Sequence, residues 1–267
     1  MRILFPRALW KQRELWWRLT EREVLGRYRG SALGIGWSFV TPLAMLAVYT
    51  FVFSQVFKAR WSGLEQASPL GFAVNLFAGL IVFNLFSDCV SRAPGLVVAN
   101  PNYVKKVIFP LEVLGSVAVG SASFHAITSL IILAVFNLIA FQRIPITLLW
   151  LPIVWLPLLL GSLACTWLLS SAGVFLRDIG QLIGLGLNML MFLSPIFFPS
   201  SALPVQWQPI LGLNPLAQVI EQTRIVVVQG LNPNPGYLIA GTAITTLACE
   251  LSFRAFQKSK AAFADVI

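Results

Sequence analysis

The chain has 267 residues, of which 57% are hydrophobic and only 11% charged, with a formal net charge of +9 at neutral pH. A soluble domain carries about a quarter charged residues, so this composition excludes one and indicates a protein embedded in a membrane. The basic residues flank apolar runs without an interleaved base-stacking pattern, which argues against nucleic acid as a partner.

The first thirty residues are charged and rich in tryptophan, and they lack the compact apolar core of a cleavable signal peptide. On a helix Arg7, Lys11, Arg18 and Arg22 share one side, with Glu14 and Glu21 beside them, while Leu9, Leu15, Trp16 and Leu19 lie largely opposite. That pattern predicts an amphipathic helix within 1–30, lying in the cytoplasmic interface with its basic groups toward lipid phosphates. A solvated juxtamembrane helix is the alternative. The chain then passes from charged to apolar without a loop in "EVLGRYRGSALGIGWSFVTP", residues 23–42, where Gly26, Gly30 and Gly34 recur at four-residue spacing. Glycine weakens an isolated helix by about 1 kcal/mol relative to alanine. These glycines are therefore expected to serve a turn and a close helix approach.

Six apolar segments lie at about 33–57, 70–90, 113–140, 147–174, 182–198 and 236–256, and roughly 20 helical residues cross a bilayer core. The fifth is the shortest and is interrupted by Pro195. The fold class expected is an all-α polytopic membrane protein, a single transmembrane domain over 1–267 with six spans. With both termini cytoplasmic, Arg2, Arg7, Lys11, Arg13, Arg18, Arg22, Arg27, Arg29, Arg92, Lys105, Lys106, Arg177, Arg254, Lys258 and Lys260 fall inside. Lys58, Arg60, Arg143 and Arg224 alone fall outside, as the preference of basic loops for the cytoplasm requires.

Between the second and third segments, "SRAPGLVVANPNYVKKVIFPLEVLG" is too polar and proline-broken to span and predicts a cytoplasmic element over 91–112. The outer segment 199–232 contains a helical stretch near Leu216 to Val228. A full crossing there would put the basic C-terminus outside, so short re-entrant helices are expected. Glu221 and Arg224, three residues apart, are expected to form a local ion pair.

No G-x-x-x-x-G-K-[ST] loop occurs, so the chain has no P-loop of its own for ATP phosphates. Gly184 and Gly186 lie inside an apolar segment and suit helix packing better than dinucleotide binding. Cys89, Cys165 and Cys249 share no metal-ligand spacing, and no metal site is expected. His125, in mid-span, is expected to be a neutral packing histidine. Asp88, Glu112, Asp178 and Glu250 sit near span ends, where water or salt bridges can satisfy them. No span holds a deep carboxylate pair, against a proton-driven transporter. Tyr49, Phe53 and Phe57 follow at four-residue steps; such a face suits sugar rings, and equally lipid or helix packing.

Three stretches in order, "RYRGSALGIGWSFVTPL", "NPNYVKKVIFPLEVLGS" and "SPIFFPSSALP" with "LNPLAQVIEQTR", resemble the membrane subunit of polysaccharide ABC exporters, which carry lipid-attached O-antigen, capsule or teichoic-acid chains. The resemblance runs from about residue 20 to the last span. It implies a non-enzymatic homodimer in the bacterial cytoplasmic membrane, working with two copies of an ATP-binding subunit that holds ATP and magnesium, and no cofactor on this chain. It further implies an interfacial gate helix before the first span and an ATPase-coupling region with Arg92, Asn100, Lys105, Lys106 and Glu112; the basic segment joined to a small-residue span puts Arg27 and Arg29, with Gly30 and Gly34, where they are expected to meet a lipid headgroup. Channel aromatics would be Trp37, Tyr49 and Phe53, and the outer re-entrant segment would hold Asn214, Pro215, Glu221 and Arg224. A drug or small-lipid ABC exporter with the same six-span plan is the nearest rival, and a membrane-embedded glycan transferase or a non-catalytic scaffold lies further off.

Overall fold

A computed structural model describes residues 5–52, 69–105, 109–200, 204 and 206–267. Among these every regular element is helical. The polar N-terminus folds as two helices, α1 (Phe5–Lys11) and α2 (Arg13–Arg27), rather than one. A short linker and a 3-10 turn, Gly34–Gly36, lead directly into α3 (Trp37–Phe51). Gly30 has φ +84° and Gly34 φ +52°, so the glycines supply the left-handed turns that redirect the chain. A Cβ at Gly26, Gly30 or Gly34 would have nothing within 4 Å, so the expected close helix approach is not made within this chain.

Next come α4 (Pro69–Arg92), the short α5 (Gly95–Val98) and α6 (Pro101–Val104), and α7 (Glu112–Phe141). A 3-10 turn (Ile146–Trp150) and α8 (Leu151–Val154) run into α9 (Leu156–Phe175), followed by α10 (Ile179–Leu193). Then come α11 (Gln208–Leu213) and α12 (Pro215–Arg224), closed by a π turn (Ile225–Gln229), and α13 (Pro235–Val266) ends the chain.

Among the described residues five helical stretches are long and apolar enough to cross a membrane: Gly34–Phe51, Leu70–Arg92, Glu112–Phe141, Ile146–Phe175 and Pro235–Val266. The fifth expected segment is the exception. Its helix α10 has 15 residues, about 22 Å at 1.5 Å per residue, against a hydrocarbon core of about 30 Å. It stops because Ser194 precedes Pro195, which forces Ser194 into the extended conformation it adopts (φ −102°, ψ 149°).

α4 is the axis of the bundle, with 78% of its apolar window buried, against 11% for the stretch containing α3. Phe72, Leu76, Ile81 and Leu85 of α4 share one core with Leu133 of α7, Trp155 and Ile220. Two glycine notches let helices meet at the end where α2 lies. A Cβ on Gly115 would be 2.9 Å from the Trp167 ring, and one on Gly173 only 2.3 Å from the Pro94 carbonyl oxygen. The first seats α7 against α9, and the second seats the α4–α5 turn on α9. α3, α7, α10 and α13 each carry exposed Leu, Ile, Val or Phe, as surfaces facing lipid or another chain do.

Candidate functional site

The helix α2 lies against α7 on its apolar side and against the end of α4 through its charges. Leu19 packs with Val113 and Val117, flanked by Leu15 and Trp16, and the Trp16 indole donates to the Ser116 carbonyl at 2.9 Å. Gly120 makes this possible, since a Cβ there would be 3.0 Å from Thr20 and 3.1 Å from Trp16. Arg18 and Arg22 point outward, so the two-sided pattern in the sequence corresponds to a packed face and an exposed one. From the last turn of α2, Arg27 Nη2 donates to both oxygens of Asp88 at 3.2 Å. One turn further along α4, Arg92 pairs with Glu23 of α2, and its Nη1 lies 3.6 Å from Asp88. The four side chains thus alternate in sign, Glu23, Arg92, Asp88, Arg27, and join two helices.

Beside this network a cavity of about 620 Å³ runs between α3, α4 and α7. Its lining includes Arg27, Asp88, Trp37, Tyr49, Asn84 and His125, with the hydroxyls of Ser38, Thr41, Ser87 and Ser129. Tyr28 lines it too, its phenol raised above its ordinary pKa by burial and therefore neutral. The Tyr28 hydroxyl lies 3.2 Å from His125 Nδ1 with the two rings edge to face, which gives His125 the packing role expected of it. The cavity combines a cation paired with Asp88, aromatic faces, several hydroxyl groups and the Asn84 amide, and once the cation is free this chemistry suits a phosphate joined to a sugar. It brings together three residues singled out in the sequence, Arg27, Trp37 and Tyr49. Arg29 is exposed and makes no side-chain pair among the described residues. Phe53, Phe57 and Lys106 lie outside the described residues.

The segment after α4 is held from three sides. Arg22 of α2 donates to the Tyr103 hydroxyl at 3.0 Å, and Tyr103 stacks on Phe109 with ring centroids 4.1 Å apart. Asn100 donates back to the Leu96 carbonyl, closing the turn between α5 and α6. Lys105 is exposed. Glu112 instead faces the bundle, where its carboxylate takes Lys260 at 3.2 Å and its carbonyl accepts from Trp167 at 2.9 Å. Arg92 and Glu112 are thus committed to partners within the chain, which leaves Lys105 as the outward cation among the described residues of this region.

At the far end the sequence "LNPLAQVIEQTR" folds by local rules. The Asn214 side chain caps α12, accepting from Leu216 N at 3.0 Å, and Pro215 occupies the first turn. Asn214 also donates to Ser194, fastening α12 to the end of α10. Arg224 does more than pair with Glu221 at 3.4 Å. Fully buried, it donates to the carbonyls of Asn75 (3.0 Å), Pro195 (2.5 Å) and Ile196 (2.8 Å), so it ties α12, α4 and the α10 terminus together. Gly79 provides the room, since a Cβ there would stand 2.9 Å from the guanidinium.

Sequence reasoning missed Glu23 and Asp88 as the partners of the cations, and Asn75 as an anchor of Arg224. Asp88 was legible only as a span-end carboxylate, because Arg27 lies 61 positions away. Among the described residues no cluster of potential metal ligands occurs.

Residues 14–228 match the family described as ABC-2 type transporter. The chain is 25% identical over 254 residues to the O-antigen export system permease protein RfbA of Klebsiella pneumoniae, covering 93% of both chains. It is 26% identical over 267 residues to the protein of the same name from Myxococcus xanthus, covering 99% of this chain and 100% of that one. Similarity extends to the polysialic acid transport protein KpsM of Escherichia coli, 27% identical over 238 residues, 85% of this chain and 84% of that one.

Proposed function

Because the chain belongs to the ABC-2 type transporter family, we propose that it is the membrane subunit of an ATP-driven exporter carrying lipid-linked polysaccharide across the bacterial cytoplasmic membrane. Its relatives are named for O-antigen export and polysialic acid transport, two polysaccharides. The observation that carries the reading is the cavity in which Arg27 meets Trp37, Tyr49 and a set of hydroxyl groups. A drug or small-lipid exporter does not need aromatic faces for sugar rings.

In this reading two copies face each other through α3 and α10, whose exposed Leu43, Val48, Leu182 and Met189 need a partner or lipid, and the polymer passes between them. α10 makes the sixth crossing together with the segment that follows it, and α11 and α12 form the outer re-entrant segment. Both termini are cytoplasmic, which keeps the basic clusters inside. The headgroup enters beside α2, where Arg27 and Arg29 meet its phosphate, while the sugar units lie along Trp37 and Tyr49. The α5–α6 element, with Lys105 outward, rests on a separate ATP-binding subunit that supplies ATP hydrolysis and binds magnesium.

The test is surface polysaccharide in cells lacking the native subunit, supplied with this chain and its ATP-binding partner. The chain restores export. Trp37→Ala with Tyr49→Ala lowers it about tenfold at normal protein level, since two aromatic contacts of about 0.5–1.5 kcal/mol each approach the 1.4 kcal/mol that makes a factor of ten. Undiminished export by the double variant would remove Trp37 and Tyr49 from the sugar path, and failure of the unaltered chain to restore polysaccharide would favour the rival exporter of small lipids.

A further inference from the structure

We infer that Glu23, Arg27, Asp88 and Arg92 form an ionic latch holding α2 on the end of α4, and that a lipid headgroup phosphate opens it by taking Arg27 from Asp88. The inference rests on the proposed function and adds to it how the headgroup is registered and where the signal goes.

Both oxygens of Asp88 accept from one nitrogen of Arg27, and two oxygens of a phosphate can replace them on the same guanidinium. The exchange leaves no carboxylate stranded, because Asp88 keeps Arg92 at 3.6 Å and Glu23 keeps Arg92 as well. A network in which each anion holds the same second cation can release the first at little cost. Arg27 and Asp88 both border the cavity and are 35% and 28% exposed at their side chains, so a headgroup reaches them without prior unfolding.

The last turn of α2 has room to shift while Trp16 and Leu19 stay packed on α7. Gly30 and Gly34 follow it with positive φ, and a Cβ on either, or on Gly26, would touch nothing within 4 Å. Three polar ties of α2 survive the exchange: Glu23 to Arg92 of α4, the Trp16 indole to the Ser116 carbonyl of α7, and Arg22 to Tyr103 of α6. Motion of α2 therefore reaches the α5–α6 element directly, two helices after the latch itself. Occupation of the cavity is thereby reported to the region that faces the ATP-binding subunit.

The experiment uses the complete complex with its ATP-binding partner in lipid nanodiscs, with spin labels at Glu21→Cys on α2 and Lys258→Cys on α13, both exposed and outside the latch and the cavity. Cys89, Cys165 and Cys249 are replaced by alanine, and retained export in cells certifies the background. The distance distribution is recorded with a long-chain lipid pyrophosphate, with the same lipid alcohol, and with inorganic pyrophosphate. The lipid pyrophosphate raises the population of the longer distance about fivefold or more, as a coupling of about 1 kcal/mol implies; the alcohol leaves it unchanged. Asp88→Asn opens the latch without ligand, and Arg27→Gln abolishes the response. Equal opening by inorganic pyrophosphate would overturn the assignment to a lipid headgroup. No change with lipid pyrophosphate or with Asp88→Asn would overturn the latch, while export by the unaltered chain would still stand for the function.

Discussion

At the scale of single residues, Arg224 carries the largest local stake. A guanidinium remains charged in any protein setting and is seldom buried without several acceptors. Here three backbone carbonyls and Glu221 surround it. Arg224→Met would leave those carbonyls and the carboxylate without their donor, at a cost of about 3–5 kcal/mol, visible as a lowered thermal unfolding midpoint of the purified chain. Arg224→Lys should fall between, because one ammonium cannot serve acceptors spread around a planar fork. The local pair with Glu221 was legible from three-residue spacing. The bond to Asn75, 149 positions away, was not, because nothing in the sequence says which carbonyl of α4 faces the outer segment.

At the scale of elements, the notch at Gly173 fixes where the α4–α5 turn rests. A methyl group there would overlap the Pro94 carbonyl oxygen and Cα, at 2.3 and 2.6 Å, and backbone cannot yield as a side-chain end can. Gly173→Ala should therefore cost about 1–3 kcal/mol of overpacking, offset in part by alanine's helix propensity of about 1 kcal/mol. The expected readout is a complex that still hydrolyses ATP while exporting less polymer per ATP, because the α5–α6 element proposed to rest on the ATP-binding subunit is displaced. An unaltered ratio would show that the turn need not rest on α9. Most helices were legible, since an uncharged apolar run of about 20 residues is long enough to cross a bilayer only as a helix. The boundary of α10 was harder: Pro195 was visible in the sequence, but its effect of cutting the helix at Leu193 depends on how Ser194 is held. The split of the N-terminal helix at Gln12 had no signal, because no proline or glycine marks it.

At the scale of the whole molecule, one end of the bundle gathers α1, α2, the α5–α6 element and the end of α13, where Lys260 pairs with Glu112 and the Phe5 amide donates to Glu250. The other end holds α12, Arg143 and the π turn, with Asn137 and Thr147 binding the Val227 and Val226 carbonyls. The distribution of basic residues made this division legible from the sequence alone, because charge is expensive inside a bilayer wherever it sits. The cavity was not legible as a cavity. Trp37 entered as a member of a resemblance and Tyr49 first from its four-residue spacing, and only packing sets them beside Arg27, Asn84 and five serine or threonine residues.

The central claim is that this chain moves a lipid-linked polysaccharide, and it is tested most directly in proteoliposomes containing the chain and its ATP-binding partner. Lipid-linked polysaccharide is supplied in the outer leaflet and an added glycosidase measures how much remains accessible. The account predicts that ATP renders the polymer progressively resistant to the enzyme, with no change when ATP is replaced by a non-hydrolysable analogue. A complex that hydrolyses ATP while the polymer stays fully cleavable would contradict it.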